Sequence, residues 1–433
     1  MTGKKKKIKK KISILFIIFR EEKIGHKDID HFLPLLYFLS KSNKININAK
    51  GLIFSNEISF KNSEDPRLKL FQNLKNIELE FLHKDNFLFK LKNFLEFNIH
   101  SPLGIFNRVI NKLYLKLLKK INKKIYLDNN FATDFIKSDS LLIATLHSNP
   151  RAQKIVSLIK KRNKKSKWMV FPDGTTICDN KMVVDSHLSK HENNKKNKNF
   201  DEIDYFFTSS KRDLADLISS GLDSRKGSVI GSPRYCKDWL KIKSKIKLDG
   251  KDVKINKSYK VKALFLIPKG FINIFNEELI RTIDFISSYK EIELILLNNN
   301  STYPKIPSYI ANRINIRRYL VAKQYSTSKL IEWADIVFHA GTGVIFESFM
   351  KDKITVLPRY LSSNTFISDK YNAGFNLRNR DELRNLCNTA VKSLENLKRK
   401  YQKETNSSNK KFINDYVYGN LKSVPKNLIK YFK

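Results

Sequence analysis

Short, continuous apolar runs recur along the chain, each bounded by polar or turn-forming residues. Residues 12–19, 51–54, 141–146, 168–171, 205–208 and 228–230 form a first series. Residues 263–268, 293–297, 336–339 and 354–357 form a second. Runs this short and this apolar are what parallel strands look like when helices cover both faces of a sheet. Helical patterns lie between them. Leu33, Leu36, Tyr37 and Leu39 share one helical face, and Leu214, Leu217 and Ile218 share another. Strand–helix alternation in both series predicts an α/β architecture with doubly wound parallel sheets.

The two series are separated by residues 241–260, a charged stretch with Gly250 and no large apolar cluster. Such a stretch reads as an interdomain linker. The predicted organisation is therefore an N-terminal domain over 1–240, a linker over 241–260, a C-terminal domain over 261–380, and a helix and tail over 381–433. In the last part Asp381 is expected to cap a helix carrying Leu383, Leu386, Ala390, Val391, Leu394 and Leu397 on one face. Residues 400–411 are polar and expected to be loose. Residues 412–432 regain aromatics and are expected to dock back on the body.

Residues 87–124 break the alternation. Phe87, Phe89, Phe94, Phe97, Phe106, Val109, Ile110, Leu113, Leu117, Leu118 and Ile121 are interleaved with six lysines between Lys112 and Lys124. This basic amphipathic insertion suits an anionic membrane surface. A core-facing helix with its lysines in water explains the same pattern.

Composition narrows the classes. At 433 residues the chain is long enough for about two domains. Hydrophobic residues make up 41% of it and aromatics 12%, which excludes a disordered chain. Lys plus Arg number 83 against 42 acidic residues, a net charge of +41. That excess attracts phosphates, anionic lipid or nucleic acid. Lys, Asn and Ile are abundant throughout, however, as an A/T-rich coding bias produces, so the charge does not choose among these partners. The aromatics sit in the apolar runs and do not alternate with Lys and Arg as base-stacking platforms do, which argues against a nucleic-acid partner. Cys178, Cys236 and Cys387 lie far apart with no CxxC, so neither a disulfide framework nor a zinc site is expected. No run reaches the ~18 apolar residues of a membrane span. The basic leader before residues 12–19 imitates a signal peptide, but the run ends in Arg20-Glu21-Glu22 without a small-residue cleavage site. It reads as a buried first strand, and the expected location is cytoplasmic, with the inner membrane face as a peripheral option.

The strongest chemical signal is Ala334-Asp335-Ile336-Val337-Phe338-His339-Ala340-Gly341-Thr342-Gly343-Val344-Ile345-Phe346-Glu347-Ser348. It reads as strand, small-residue turn, helix. Gly341 and Gly343 permit a tight turn with close backbone approach. The first N–H groups of the helix, near Thr342 to Ile345, are then free to grip phosphate. Glu347, one turn in, can accept from ribose or sugar hydroxyls. Phe346 stands where a dinucleotide fingerprint has its third glycine, and a purely structural turn would also use these glycines. A second signal is Asp204-Tyr205-Phe206-Phe207-Thr208-Ser209-Ser210, then a helix to Gly221, then Val229-Ile230-Gly231-Ser232-Pro233-Arg234-Tyr235. The Gly-Ser-Pro-Arg turn presents a cation, Arg234, where a plain loop is the alternative.

At these residues a resemblance arises. The strand ending in Thr208-Ser209, the helix ending in Gly221-Leu222-Asp223, the run from Val229 to Tyr235 and nearby Trp239 resemble bacterial surface-carbohydrate and capsule biosynthesis proteins. The run from Ala334 through Glu347, followed by 353–358, resembles their donor domain. That group is related to CDP-glycerol glycerophosphotransferases and UDP-N-acetylglucosamine 2-epimerases. The resemblance covers roughly residues 140–375 and implies a GT-B-like fold, two Rossmann-like domains facing a cleft. It implies that Gly341, Thr342 and Gly343 cradle donor phosphates, that Glu347 holds donor hydroxyls, and that Lys269 and Arg234 neutralise the leaving group. Thr365 and Ser368 would touch phosphate or base. The implied substrate is a nucleotide-activated sugar or polyol, with a glycan or lipid-linked acceptor. No metal or other cofactor is implied as a requirement, because cations can stabilise a departing nucleotide.

The chain departs from the pattern in two places. A Lys-x-His-Pro run common in the glycerophosphotransferase branch is replaced by Leu297-Asn298-Asn299-Asn300. A His-Gly turn of the acceptor domain is replaced by Phe171-Pro172-Asp173-Gly174-Thr175. A base is needed if an acceptor hydroxyl attacks directly. The candidates are His26, His31, His147 and Asp173, all following apolar runs, where open α/β sheets bind ligands. A capping or solvated imidazole is the alternative for each histidine. Asp28-Ile29-Asp30 spells Asp-x-Asp, which a chain this charged produces by chance. The expected function is a transferase moving a sugar or polyol phosphate to a surface glycan or its precursor. A sugar-nucleotide 2-epimerase is the first alternative, although its proton abstraction and return need several carboxylates and only Asp173 is evident. A non-catalytic basic binding protein is the second.

Overall fold

The computed structural model describes residues 10–18, 26–42, 45–56, 66–83, 136–146, 148–173, 200–246, 252–254, 256–268, 274–298, 306–320 and 326–432. The amphipathic segment 87–124 lies outside them. The chain divides into two compact units. The first comprises 1–173, 200–207 and 428–433; the second comprises 174–199 and 208–427.

Among the described residues the first sheet has seven strands: β1 (Lys10–Ile18), β2 (Ile45–Asn56), β3 (Ile77–His83), β4 (Leu141–Thr145), β5 (Lys167–Val170), β6 (Tyr205–Thr208) and β7 (Gly227–Val229). Their order is β3-β2-β1-β4-β5-β6-β7, and the pairings from β3 through to β6 are parallel. The sheet is wound outward in both directions from the step between β1 and β4. Helices α1 (His26–Ser40), α2 (Pro66–Gln72) and α3 (Pro150–Arg162) accompany the early strands. Phe16 on β1 packs against Phe32 of α1 at 5.6 Å and edge-on against Phe71 of α2 at 5.4 Å. The buried Trp168 indole donates to Thr145 Oγ1 at 2.9 Å, so its polar atom is satisfied inside the core.

Helices α4 (Lys211–Ser219) and α5 (Lys237–Lys245) precede the second sheet. That sheet contains β8 (Val261–Leu266), β9 (Ile292–Asn298), β10 (Ile316–Leu320), β11 (Ile336–His339), β12 (Ile354–Pro358) and β13 (Phe375–Leu377). Their order is β10-β9-β8-β11-β12-β13, with every pairing parallel. Its helices are α6 (Asn276–Ser287), α7 (Ser308–Ala311), α8 (Thr327–Trp333), α9 (Ile345–Met350), α10 (Ile367–Lys370), α11 (Arg380–Lys392), α12 (Leu394–Tyr416) and α13 (Val424–Lys430). The two doubly wound parallel sheets are the fold class that the apolar runs predict.

Several details differ from the sequence reading. Strands β3, β10 and β13 were not expected. All three are edge strands; Ile77-Glu78-Leu79-Glu80 and Ile316-Arg317-Arg318 mix charge into the apolar positions, and β13 has only three residues, Phe375-Asn376-Leu377. The expected linker begins inside α5, which runs to Lys245, and Val253 is buried with Leu264 and Trp333. Ile218 is 39% exposed, so the face of α4 drawn through it is not buried. The cap of α11 is Asn379, whose side chain accepts from the Glu382 N–H at 2.9 Å, not Asp381. Ser393 ends α11 and caps α12, which places Leu394 and Leu397 on a second helix. Residues 400–411, expected to be loose, lie within α12. That helix is anchored by Leu397, Tyr401, Thr405, Phe412 and Tyr416 on one buried stripe. The chain's end does dock: Phe432 stacks on Phe171 at 6.4 Å, and Tyr431 meets Phe207 edge-on at 4.9 Å.

Candidate functional site

In the second unit the sheet order reverses between β8 and β11. Open α/β sheets take ligands at the carboxyl ends of strands beside such a reversal. Strand β11 is completely buried and delivers Ala340 to Gly343 to that position. Gly341 has φ +84°, a left-handed conformation that favours glycine. Gly343 has no such need. A methyl group there would meet nothing nearer than the Tyr235 hydroxyl, at 3.9 Å. Neither backbone strain nor packing requires a bare backbone at Gly343, and its open side is the space a ligand would fill.

Thr342 shapes the turn. Its carbonyl accepts from the Ile345 N–H at 3.3 Å, and its hydroxyl accepts from the Val344 N–H at 3.4 Å. The Gly343 N–H makes no hydrogen bond among the described residues. Helix α9 has only six residues. The expectation of phosphate held by a full helix terminus is corrected accordingly, because so short a helix carries little dipole. What remains is the turn itself. It is held from beneath by Phe346, whose ring lies 5.6 Å from Tyr235, 5.2 Å from Phe412 and 6.2 Å from Tyr416.

Glu347 is buried, and its surroundings were not foreseen. Lys243 Nζ approaches Oε1 at 3.4 Å and Lys351 Nζ at 3.2 Å, and the Ser328 hydroxyl donates to the same oxygen. Burial pushes the carboxyl up, but Lys243, Lys351 and the Ser328 hydrogen bond outweigh it and hold it at about 2. Glu347 is therefore an internal counter-ion, and none of these three contacts falls on Oε2. Two ammoniums against one carboxylate leave the cluster with one positive charge. His339, at the end of β11, is also buried. Burial pushes its imidazole down to about 3, and Nδ1 has no hydrogen-bond partner among the described residues.

Arg234 is half-buried, with its guanidinium over the Tyr235 ring at 5.2 Å. Since Tyr235 neighbours both Gly343 and Phe346, the Gly-Ser-Pro-Arg turn and the glycine turn are brought together. Thr365 is half-buried. Ser368 is completely buried and its hydroxyl has no partner among the described residues, so the expected contact with phosphate or base is not open to it. Lys269 lies outside the described residues. Cys236 and Cys387 are free and buried, and burial pushes both thiols up to about 12, which makes them poor nucleophiles.

In the first unit the reversal falls between β1 and β4. Helix α1 opens at His26, and His31 follows on its second turn. The structure brings His31 and Asp173 together: Nε2 lies 3.8 Å from Oδ1, with side-chain exposures of 9% and 45%. A carboxylate beside an imidazole is the arrangement that orients a general base. His147 lies outside the described residues. Asp28 is buried, and Asp30 pairs with Arg67 at 2.8 Å, so the Asp-x-Asp run serves the fold. Sequence reasoning named Tyr235 only as the end of the Gly-Ser-Pro-Arg run and missed Lys243, Ser328 and Lys351. Only Lys351 left a signal, four residues after Glu347 on a predicted helix.

No family model matches the chain, and no curated protein sequence matches it. Solved structures do. The Anabaena protein HepE, in complex with UDP-glucose, matches over 97% of this chain and 99% of its own, at 12% identity and a TM-score of 0.53. The UDP-GlcNAc 2-epimerase of Neisseria meningitidis, bound to UDP-GlcNAc, matches over 98% and 99%, at 13% identity and a TM-score of 0.52. The S. aureus protein MnaA with UDP matches over 98% and 96%, at 13% identity and a TM-score of 0.53. At these identities the likeness establishes the fold, two parallel-sheet α/β domains of the GT-B type.

Proposed function

We propose that this chain is an enzyme of nucleotide sugars, a transferase that moves a sugar or polyol phosphate from a nucleotide donor to a glycan or lipid-linked acceptor in surface-polysaccharide assembly. The observation that carries the reading is the open, unstrained Gly343 at the reversal of the second sheet. The reading is supported by the solved proteins of like fold that hold UDP-glucose and UDP-GlcNAc.

In this reading the amides of Gly341 to Gly343 bind the donor phosphates, with Arg234 brought to the same turn through Tyr235; Lys269, the other cation the resemblance implies, lies outside the described residues. The net positive Lys243–Glu347–Lys351 cluster sets the local potential, and Glu347 acts as a positioning residue. Charge develops on the nucleotide as it leaves, and fixed cations and amide dipoles stabilise it without reorganising. In the first unit His31, with Asp173 at 3.8 Å, is the proposed base for an acceptor hydroxyl. The hydroxyl oxygen then bonds to the transferred group as the bond to the nucleotide breaks. His26 and His147 are the alternative bases. The imidazole–carboxylate pair is the reason a transferase is preferred. A 2-epimerase removes and returns a proton on carbon and needs carboxylates at the sugar, where the first unit offers Asp173.

No helix among the described residues is long and apolar enough to cross a membrane. A lipid-linked acceptor would then be met at the bilayer surface, and segment 87–124 is the proposed contact. Flotation with anionic and neutral liposomes measures it.

The function is tested by incubating the chain with UDP-, CDP- and CMP-linked donors in deuterated water. The expected result is slow release of nucleotide with no deuterium on the sugar. Deuterium at the sugar C2 would move the reading to an epimerase. Absence of both turnover and binding would leave a non-catalytic binding protein.

A further inference from the structure

A cavity of about 760 Å³ opens beside the edge strand β13 in the second unit. It is lined from four places in the chain: the turn after β12, α10, β13 with its flanks, and α12. None of its lining residues belongs to the run from Gly341 to Glu347. Its size lies within the roughly 300–1,000 Å³ of ligand pockets.

The lining is mixed in a particular way. Arg359 and Arg378 stand against Asp369 and Glu404, two cations against two anions. Arg359 Nε is tied to Asp369 at 2.6 Å, and Glu404 Oε1 lies 4.0 Å from Lys400. The charged side chains that line the cavity sum to zero, even in a chain of charge +41. Unspent hydrogen-bonding groups remain. Asn376 Oδ1 is buried with no partner among the described residues, and it wants a donor. Arg378 uses its backbone N–H on Glu382 at 2.7 Å, while its guanidinium makes no ion pair among the described residues. It wants an acceptor. Asn372, held at φ +51°, supplies an amide that does both. Tyr360 and Phe375, half-buried, add aromatic surface.

We propose that this cavity is a binding site for a neutral, short oligosaccharide. Hydroxyls that both donate and accept meet the asparagines and the arginine, and the apolar face of a sugar ring meets the aromatic side chains. Nothing in the proposal requires the donor site to be as described above. Should both hold, the cavity would retain the glycan while the donor turn exchanges nucleotides.

The probes are maltotriose, cellotriose, chitotriose and mannotriose, presented to the full chain and followed by saturation-transfer NMR and calorimetry. The expected result is binding of at least one trisaccharide. Its affinity should fall by about tenfold or more in the Asn372→Gly/Arg378→Ala double variant, a loss of roughly 1.4 kcal/mol; glycine removes the amide while accepting the positive φ at 372. These side chains are exposed, so the melting temperature should hold, and Asn376→Leu should weaken the same binding. UDP binding should not change in any of these variants. Silence from all four sugars, a signal the double variant leaves intact, or displacement of the sugar by inorganic phosphate would each overturn the proposal.

Discussion

Lys243 Nζ lies 3.4 Å from Glu347 Oε1, joining positions 104 apart in the sequence within the second unit. Both side chains are largely removed from water, at 17% and 7% exposure. Withdrawing one partner of such a pair strands the other charge. Lys243→Met should therefore lower unfolding stability by about 3 kcal/mol, toward the low end for a broken buried pair because Lys351 remains. Urea denaturation with an unchanged slope would measure it. A loss under 1 kcal/mol would show that Glu347 finds solvent.

Acid should unfold the chain in two steps that can be assigned. His339 is held down at about 3 from its ordinary 6.5, so below pH 6.5 the unfolded chain takes up a proton that the native chain refuses. Stability is then lost as pH falls from 6.5 toward 3, by about 1.4 kcal/mol per pH unit. His339→Leu should remove that slope. Glu347, held at about 2 against 4.5, contributes stability above pH 4.5 that is lost as pH falls toward 2. In Glu347→Gln that second step should vanish. Denaturation midpoints across pH 2–8, compared between the wild type and the two variants, separate the two.

The two glycines of the turn should respond oppositely. Gly341→Ala places a side chain at φ +84° and should cost about 1–2 kcal/mol. Gly343→Ala has room to within 3.9 Å of Tyr235 and should leave stability unchanged or slightly raised. Thermal melts decide this. Equal destabilisation by both would mean that Gly343 is as structural as Gly341.

His31→Gln and Asp173→Asn should each reduce transferase turnover by about 10²- to 10⁴-fold while leaving nucleotide affinity intact. Their effects should not add, because the carboxylate works through the imidazole. A double variant far slower than either single one would separate the two residues.

Much of the fold was legible because buried parallel strands must be apolar on both faces. Runs such as 141–146, 263–268 and 336–339 can hardly be anything else. Edge strands β3, β10 and β13 escaped for the converse reason: an edge position admits charge, as at exposed Glu78 on β3, and β13 has only three residues. Helix α12 escaped because its buried positions, Tyr401, Thr405 and Phe412, are thinly spaced among lysines and asparagines. At the site, the glycine turn and the Arg234 turn were legible from their small residues. The link between His31 and Asp173 was not. It depends on how strands β1 and β5 lie in the sheet, which no local pattern encodes. Lys243 was hidden in the same way, as one lysine among 83 basic residues until the fold set it beside Glu347.

The account rests on the claim that the turn from Gly341 to Gly343 receives a nucleotide's phosphates. Isothermal calorimetry of UDP, CDP and CMP against the wild-type chain and Gly343→Val, with folding of the variant checked by its melt, tests it most directly. The account predicts that one of these nucleotides binds the wild type and that binding is lost in a folded Gly343→Val. Undiminished binding in that variant, or no nucleotide binding by the wild type, would contradict it.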